Sequence, residues 1–480
     1  MAELIATRLT PGLAPRLGLW SRWGAAALSL VLLGVGFADL FANSSISLGL
    51  ALAGGLALSG FLALTIRHFE TAIAVGLLLM GVVRFEPAPP DLAFAVIMTV
   101  AAMTGRFHLR RVPLLVRGIV GLMLVVNLLS LMDVVSTSTA LRFVFITLYL
   151  AMFSLWLTAF IDRPSRARLV ILTWVWIGVV STVLSVLALN VHIPLRSVIL
   201  GGAEGGERAA GLFKDPNVFG PFLIPIALIV LEQRIAPVTP KLLWLRGRTT
   251  WLVLLVLTLG VLFSYSRAAW ANFVLSLIVT LIALSLRRTG ARRALRALGA
   301  LLAVGVVTVA VLSATGSTQF LAQRAKFQSY DAQRFAAQNF GWEVGWTHPV
   351  GIGPGQFEFY SPVASQSTFV RVWAEQGPLG LLLWVALLLS TLVMAFRNVV
   401  VGRHTYGIGS AALLGAWCGL ILNSVVVDTL HWRHQWVLAA LIWASAGREL
   451  AARRAPGQRV PRLATPRPAT PGPATVPGRS

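Results

Sequence analysis

The chain has 480 residues, of which 57% are hydrophobic and 12% charged, about half the charged share of a soluble domain. Mean hydropathy is +0.79. A water-soluble fold this apolar could not cover itself with polar surface, so the composition points to an integral membrane protein and excludes a disordered or collagen-like chain. A single cysteine, Cys418, leaves no intramolecular disulfide and no cysteine-based metal site.

Apolar runs predict fourteen segments, near 24–42, 46–66, 70–84, 92–105, 113–134, 139–160, 168–190, 216–233, 249–264, 268–286, 296–314, 377–396, 407–427 and 434–447. The first follows Arg8, Arg16 and Arg22 without a small-residue cleavage site and reads as a signal anchor. The third and fourth are short and flank the proline-rich stretch 86–91; without them twelve spans remain, in the same orientation. The expected fold is all-α, a polytopic membrane protein of 12–14 transmembrane helices. Its predicted parts are an N-terminal segment 1–23, membrane helices 24–314, a loop subdomain 315–376, further membrane helices 377–447 and a Pro/Ala/Arg tail 448–480. That tail cannot bury a core and is expected to be disordered.

The 40 basic and 17 acidic residues give a net charge of +23. With the N-terminus in the cytoplasm, 28 of the 40 fall on inner segments and 11 on outer ones, with Arg117 inside a span. Cytoplasmic loops collect Lys and Arg, so both termini are expected inside. Most of the positive charge is thereby topological, and no basic patch with interleaved aromatics suggests nucleic acid.

The outer cations run against this bias and call for another reason, of which anion binding is the first. Arg196, Arg208 and Lys214 lie in the outer loop 191–215; Asp215 or Asn217 can cap the apolar helix that follows, with Pro216 in its first turn. Such a helix start beside Arg208 and Lys214 is a potential anion site, with Asn217 a secondary sugar contact. Arg267 ends the tight connection 264–267 between two spans, where it either snorkels to headgroups or binds an anion. In the loop 315–376, which also holds Arg324 and Lys326, Arg334 is expected to start an amphipathic helix carrying Phe335, Phe340, Trp342 and Trp346. Those aromatics either seat the loop at the interface or stack on sugar rings. A sharply turned segment follows, His348-Pro349-Val350-Gly351-Ile352-Gly353-Pro354-Gly355. Then come Gln366, Ser367, Arg371 and Glu375, and a new span at Gly377.

At these residues the chain resembles the O-antigen ligase and O-antigen polymerase-like membrane glycosyltransferases, over about residues 110–447. The family pattern is His, then Asn, Ser or Gln, nine residues, Gly, two residues, Gly. Here it reads Gln366, Ser367, nine residues, Gly377, Pro378, Leu379, Gly380. The segment from His348 to Gly355, the arginines Arg208, Arg267 and Arg334, and the stretch 428–434 match as well. Gln366 departs from the pattern: glutamine keeps the hydrogen-bonding shape of histidine but takes no proton near neutral pH.

The resemblance implies a glycan donor on undecaprenyl pyrophosphate at the periplasmic face of a bacterial inner membrane. The implied acceptor is a hydroxyl, on lipid A-core for a ligase or on the next repeat unit for a polymerase. Arg208, Arg267 and Arg334 are then expected to grip the pyrophosphate, with Gln366 at the acceptor. Lys214, Asn217, Arg371, Glu375 and His348 are the further substrate-side candidates, and His348, Glu358 and Glu375 the candidate bases. Glu375 pairing with Arg371, and His348 as part of the packed loop, are the structural readings of those two. No cofactor and no metal is expected, since a lipid pyrophosphate is already an activated leaving group. Membrane lipid is the remaining partner. A polymerase, a diverged pseudoenzyme and a transporter of lipid-linked sugars remain the alternatives. A transporter would carry charge at mid-membrane.

Overall fold

The computed structural model describes residues 48–84, 88–193, 196–201, 208–243, 245, 247–286 and 329–454, with scattered positions between 287 and 328. The predicted segment 24–42, nearly all of 296–314 and the tail beyond 454 lie outside the described residues.

Every other predicted apolar segment is a helix. In chain order these are α1 (Leu48–Arg67), α2 (Phe69–Leu79), α3 (Pro89–Met103), α4 (Leu114–Leu129), α5 (Thr137–Phe160) and α6 (Pro164–Asn190). After a short α7 (Arg196–Ile199) come α8 (Pro216–Ile235), α9 (Gly247–Phe263) and α10 (Arg267–Ser285). The chain then forms α11 (Ser329–Thr347), α12 (Phe357–Tyr360), α13 (Thr368–Val400), α14 (Ser410–Val426) and α15 (Arg433–Arg454). The protein is an all-α polytopic membrane protein. Among the described residues six helices are long and apolar enough to cross a membrane: α4 with its 3-10 extension to Asp133, α5, α6, α8, α10 and α13. At 11 residues, α2 is about 16 Å long, well short of the ~30 Å hydrocarbon core.

Among the described residues, strands are confined to three pairs of two-residue segments that the apolar pattern did not foreshadow. One matters for the site: β1 (Val82–Val83), between α2 and α3, pairs in parallel with Leu212–Phe213 just before α8. It ties the short helices to the loop carrying Arg208 and Lys214.

Burial follows helix position. On α8, from Phe219 to Gln233, every residue is buried, which makes it the central helix of the bundle. On α4, Leu114, Leu115, Leu122, Val125 and Leu129 are exposed, as a helix facing lipid should be. Arg117 sits in the first turn of α4, close enough to the helix end for its guanidinium to snorkel toward water.

The tightest seam joins α10 and α14 and is polar. Asn272 donates to Asn423, Ser276 Oγ donates to Asn272 Oδ1 (2.9 Å), and Gly415 and Gly419 let the backbones approach. In hydrocarbon such hydrogen bonds hold helices where apolar burial offers no preference. Asn272→Leu leaves the side-chain oxygen of the fully buried Asn423 without its partner. It should cost about 1–2 kcal/mol, read as a lowered thermal unfolding midpoint in detergent; an unchanged midpoint would show that the pair contributes nothing.

At Gly377 the backbone turns left-handed (φ 68°, ψ −173°) and breaks α13 into two helices. Pro378 opens the second, as proline suits a first turn. The break falls where the sequence predicts the new span to begin.

Candidate functional site

Three groups of side chains meet at the end of the bundle where α3, α5, α8, α10 and α15 begin. The first surrounds the turn between α9 and α10. Ser266 caps α10, its side chain accepting the Ala269 N–H (3.3 Å), so Arg267 is the first helical residue. Tyr265 is held left-handed (φ 48°) and buried, a strained conformation of the kind that clusters at functional sites. Arg208 reaches this turn from the other side: its Nε donates to the Ser264 carbonyl (2.9 Å) and its Nη2 to Asn217 Oδ1 (3.1 Å). Arg267 donates to Asp331 and to the Lys326 carbonyl (3.1 Å). The guanidinium of Arg334 lies 4.9 Å, and that of Arg267 6.0 Å, from the centre of the Tyr330 ring. The three arginines named from the sequence are thus gathered around one turn and one tyrosine, although they come from separate parts of the chain.

Arg334 does not start its helix, as the sequence reading expected. The helix begins five residues earlier, at Ser329, with Asp331 in its first turn. An acidic residue there complements the helix dipole, and Arg267 anchors it from α10.

The second group lines a cavity of about 520 Å3. Its wall includes Asp91 of α3, Arg142, Phe143 and Tyr149 of α5, Lys214 and Asp215 ahead of α8, and Asp428, His431, Arg433 and His434. Arg433 holds Asp91 through two hydrogen bonds, one from Nε at 2.7 Å. Asp215 caps α8 by accepting the Asn217 N–H (2.8 Å), and its other oxygen accepts from the Asn217 side chain (3.3 Å). Asn217 therefore joins the two groups, with Arg208 on one side and the cavity wall on the other. A space of this size, with charged and imidazole side chains set among aromatic walls, is that of a ligand site.

The third group centres on Arg371. Its side chain is 5% exposed and pairs with Glu358, with Asp428 (3.2 Å) and with Glu375 (3.8 Å). Glu375, 1% exposed, does more than form the helical pair: it accepts the Gly355 N–H (2.8 Å) and the Phe357 N–H (3.3 Å). The carboxylate thus pins the glycine-rich segment to α13, while Ile352 and Gly353 donate to the carbonyls of Ala374 and Glu375 (both 3.0 Å). Gly351 (φ 88°) and Gly377 (φ 68°) lie against each other's neighbours at that crossing, and a Cβ on either would overlap backbone. This close approach accounts for the glycine spacing. His348 hydrogen-bonds the Val344 carbonyl through Nδ1 (3.0 Å) at the end of α11. Trp342 and Trp346 pack on Trp373, whose Nε1 donates to the Trp342 carbonyl (3.0 Å). Trp346 remains 75% exposed, so this face presents aromatic surface.

Gln366 lies in the extended segment before α13, half-buried and left-handed (φ 51°). It is absent from the cavity wall. Of the substrate-side candidates named from the sequence, only Lys214 lines the cavity; Asp215, expected as a cap, and Asp428, His431, Arg433 and His434 of the stretch 428–434 line it as well. Arg142 and Asp91 were missed. Arg142 carried the same signal as the other cations expected on the outer side, whereas nothing in the sequence pairs Asp91 with Arg433, 342 positions away. Among the described residues, no group of three or more His, Cys, Asp or Glu side chains converges as a metal ion requires.

Residues 252–385 match the family model Wzy_C, described as O-antigen ligase. The chain is O-antigen ligase-like over that stretch. It runs from α9 through the turn holding Arg267, the helix with Arg334, the glycine-rich segment and Gln366 to the first turns after Gly377. The ligase-like region therefore supplies most of two of the three groups, while Arg208 and the whole cavity wall lie outside it. No curated protein matches the sequence. A ligase-like match on a bundle of membrane helices supports a membrane glycosyltransferase-type function.

Proposed function

We propose that the protein transfers a glycan from undecaprenyl pyrophosphate to a hydroxyl acceptor, with lipid A-core as the acceptor, acting as an O-antigen ligase at the periplasmic face of a bacterial inner membrane. The observation that carries this reading is the arginine cluster of Arg208, Arg267 and Arg334, connected through Asn217 and Asp215 to a 520 Å3 cavity. A diphosphate leaving group gathers negative charge as its bond to the anomeric carbon breaks. Guanidinium groups fixed beforehand around that position stabilise the charge without reorganising. Lys214, Arg142 and Arg433 line the cavity, where the sugar and the acceptor hydroxyl would meet. Arg371 braces the cavity wall through Asp428, and Glu375 holds the glycine-rich segment beside it.

The outer placement rests on the charge bias of the loops, with both termini in the cytoplasm and the loop subdomain 315–376 in the periplasm. Cations concentrated at one end of the bundle favour a transferase over a transporter, whose charges would line the midplane. A second reading, a repeat-unit polymerase, is favoured by Gln366, because the histidine of the ligase pattern is missing there.

The test is transfer in vitro. Purified protein in proteoliposomes receives undecaprenyl-pyrophosphate glycan and lipid A-core, and products are read by mobility on a gel. Glycosylated lipid A-core is the expected product. Longer lipid-linked chains without it would move the assignment to polymerase. No product of either kind would remove the transferase reading.

A further inference from the structure

A second cavity, of about 330 Å3, lies at the opposite end of the bundle from the three groups. The length of α8 sets the separation. Its 20 residues rise about 30 Å from Pro216, beside the first site, to Ile235, which is the thickness of the hydrocarbon core. The cavity therefore sits where α8 and α9 meet the headgroup layer of the other leaflet. Its wall includes Arg234 at the end of α8, Lys241 in the connection, Gly247 at the start of α9, and the apolar side chains of Val230, Leu243 and Leu245.

This wall is built before any ligand arrives. Gln233, 6% exposed, accepts the Leu243 N–H (3.0 Å) and donates to the Gly407 carbonyl (3.0 Å). The connection between α8 and α9 is thus fastened to the end of α8 and to the turn at Gly407. That turn packs so closely that a Cβ at Gly407 (φ 104°) would overlap the Pro240 carbonyl.

The charge of the wall is one-sided. Among the described residues no carboxylate lines the cavity, and neither Arg234 nor Lys241 has an acidic partner. Glu232, two residues before Arg234, is fully buried and accepts the Ala412 N–H of α14 (2.7 Å). Arg234 is held instead at the start of the 17-residue α9. Its guanidinium lies 5.9 Å from the centre of the Trp251 ring, and its Nη2 would be 3.7 Å from a Cβ at Gly247. A helix start carries partial positive charge, so a cation placed there is repelled unless an anion lies between them.

We propose that this cavity binds the phosphate of an anionic phospholipid from the leaflet at that end. The site stands independently of the glycosyl-transfer reading. Arg234 and Lys241 donate hydrogen bonds to the phosphate oxygens, and the upper part of the acyl chains lies against Val230, Leu243 and Leu245. Basic pockets between membrane helices take anionic headgroups in this way. The apolar side of the wall favours a lipid over a soluble phosphate, which has no apolar part to place there.

The experiment is native mass spectrometry of the full chain in neutral detergent, titrated with phosphatidylglycerol or with zwitterionic phosphatidylcholine, whose ammonium the two cations repel. The unaltered protein should retain one phosphatidylglycerol at concentrations where phosphatidylcholine is not retained. Replacing both cations, Arg234→Gln with Lys241→Gln, should weaken that binding by at least about tenfold. Arg110→Gln removes an exposed cation at the same end but outside the cavity, and should leave binding in place. Phosphatidylglycerol should also raise the thermal unfolding midpoint of the unaltered protein and not that of the double variant. Equal retention by the double variant, or an equal loss in Arg110→Gln, would overturn the proposal. So would inorganic phosphate that raises the midpoint as much as the lipid and displaces it, because the ligand would then be a soluble anion. Circular dichroism reports whether the double variant is folded. If it is not, Lys241→Gln alone, at an exposed position, should still weaken binding about fivefold, and undiminished binding there counts against the site.

Discussion

Arg371→Met is expected to destabilise the protein by about 3–5 kcal/mol, the cost of breaking a buried ion pair from one side. Three carboxylates surround this guanidinium, and Glu375 is 1% exposed. Without the cation, Glu375 must either stay charged in a dry site or take up a proton and weaken its hold on the Gly355 and Phe357 N–H groups. The glycine-rich segment would then separate from α13, and the end of the cavity near Asp428 would loosen with it. The double variant Arg371→Met, Glu375→Gln should recover part of the loss, because it removes the buried charge along with its partner. Thermal unfolding in detergent, with limited proteolysis of the segment 348–361, measures both. Single and double variants that unfold like the unaltered protein would show that the cluster is not what joins the segment to the helix.

Arg208→Lys should lower transfer by about 10²–10³-fold while leaving the unfolding midpoint nearly in place. The guanidinium uses two of its nitrogens on neighbours in different parts of the chain, the Ser264 carbonyl and the Asn217 side chain. Its flat shape keeps the positive charge beside the turn that presents Arg267. An ammonium group keeps the charge but has no fork with which to hold both neighbours. The loss should therefore appear in kcat rather than in donor binding, since overall attraction for the anion survives. Full activity in Arg208→Lys would move the diphosphate away from the turn and toward Lys214 and Arg142 in the cavity wall.

How much of this was legible beforehand depends on the range of the physics involved. Apolar length and charge bias are local properties, so they marked the helices, from the start of α4 through to α15, and the break at Gly377. Capping is local too: Asp215 with Pro216 announced the start of α8. Where a cue was ambiguous the boundary slipped, as at α11, where Arg334 was taken for the start that Ser329 and Asp331 provide.

The site itself was half legible. Cations expected on the outer side stand out because they oppose the charge bias of the loops, and this singled out Arg208, Arg267, Arg334 and Lys214. The sequence by itself thus determined the membrane class, the helix order and the cations that topology leaves over. Only the tertiary structure decided which of them share a turn, that Asp91 answers Arg433, and that His431 rather than Gln366 faces the cavity. Those pairings join residues from 56 to more than 300 positions apart. Helix packing brings such residues together, and no periodicity or local propensity encodes which helices will be neighbours.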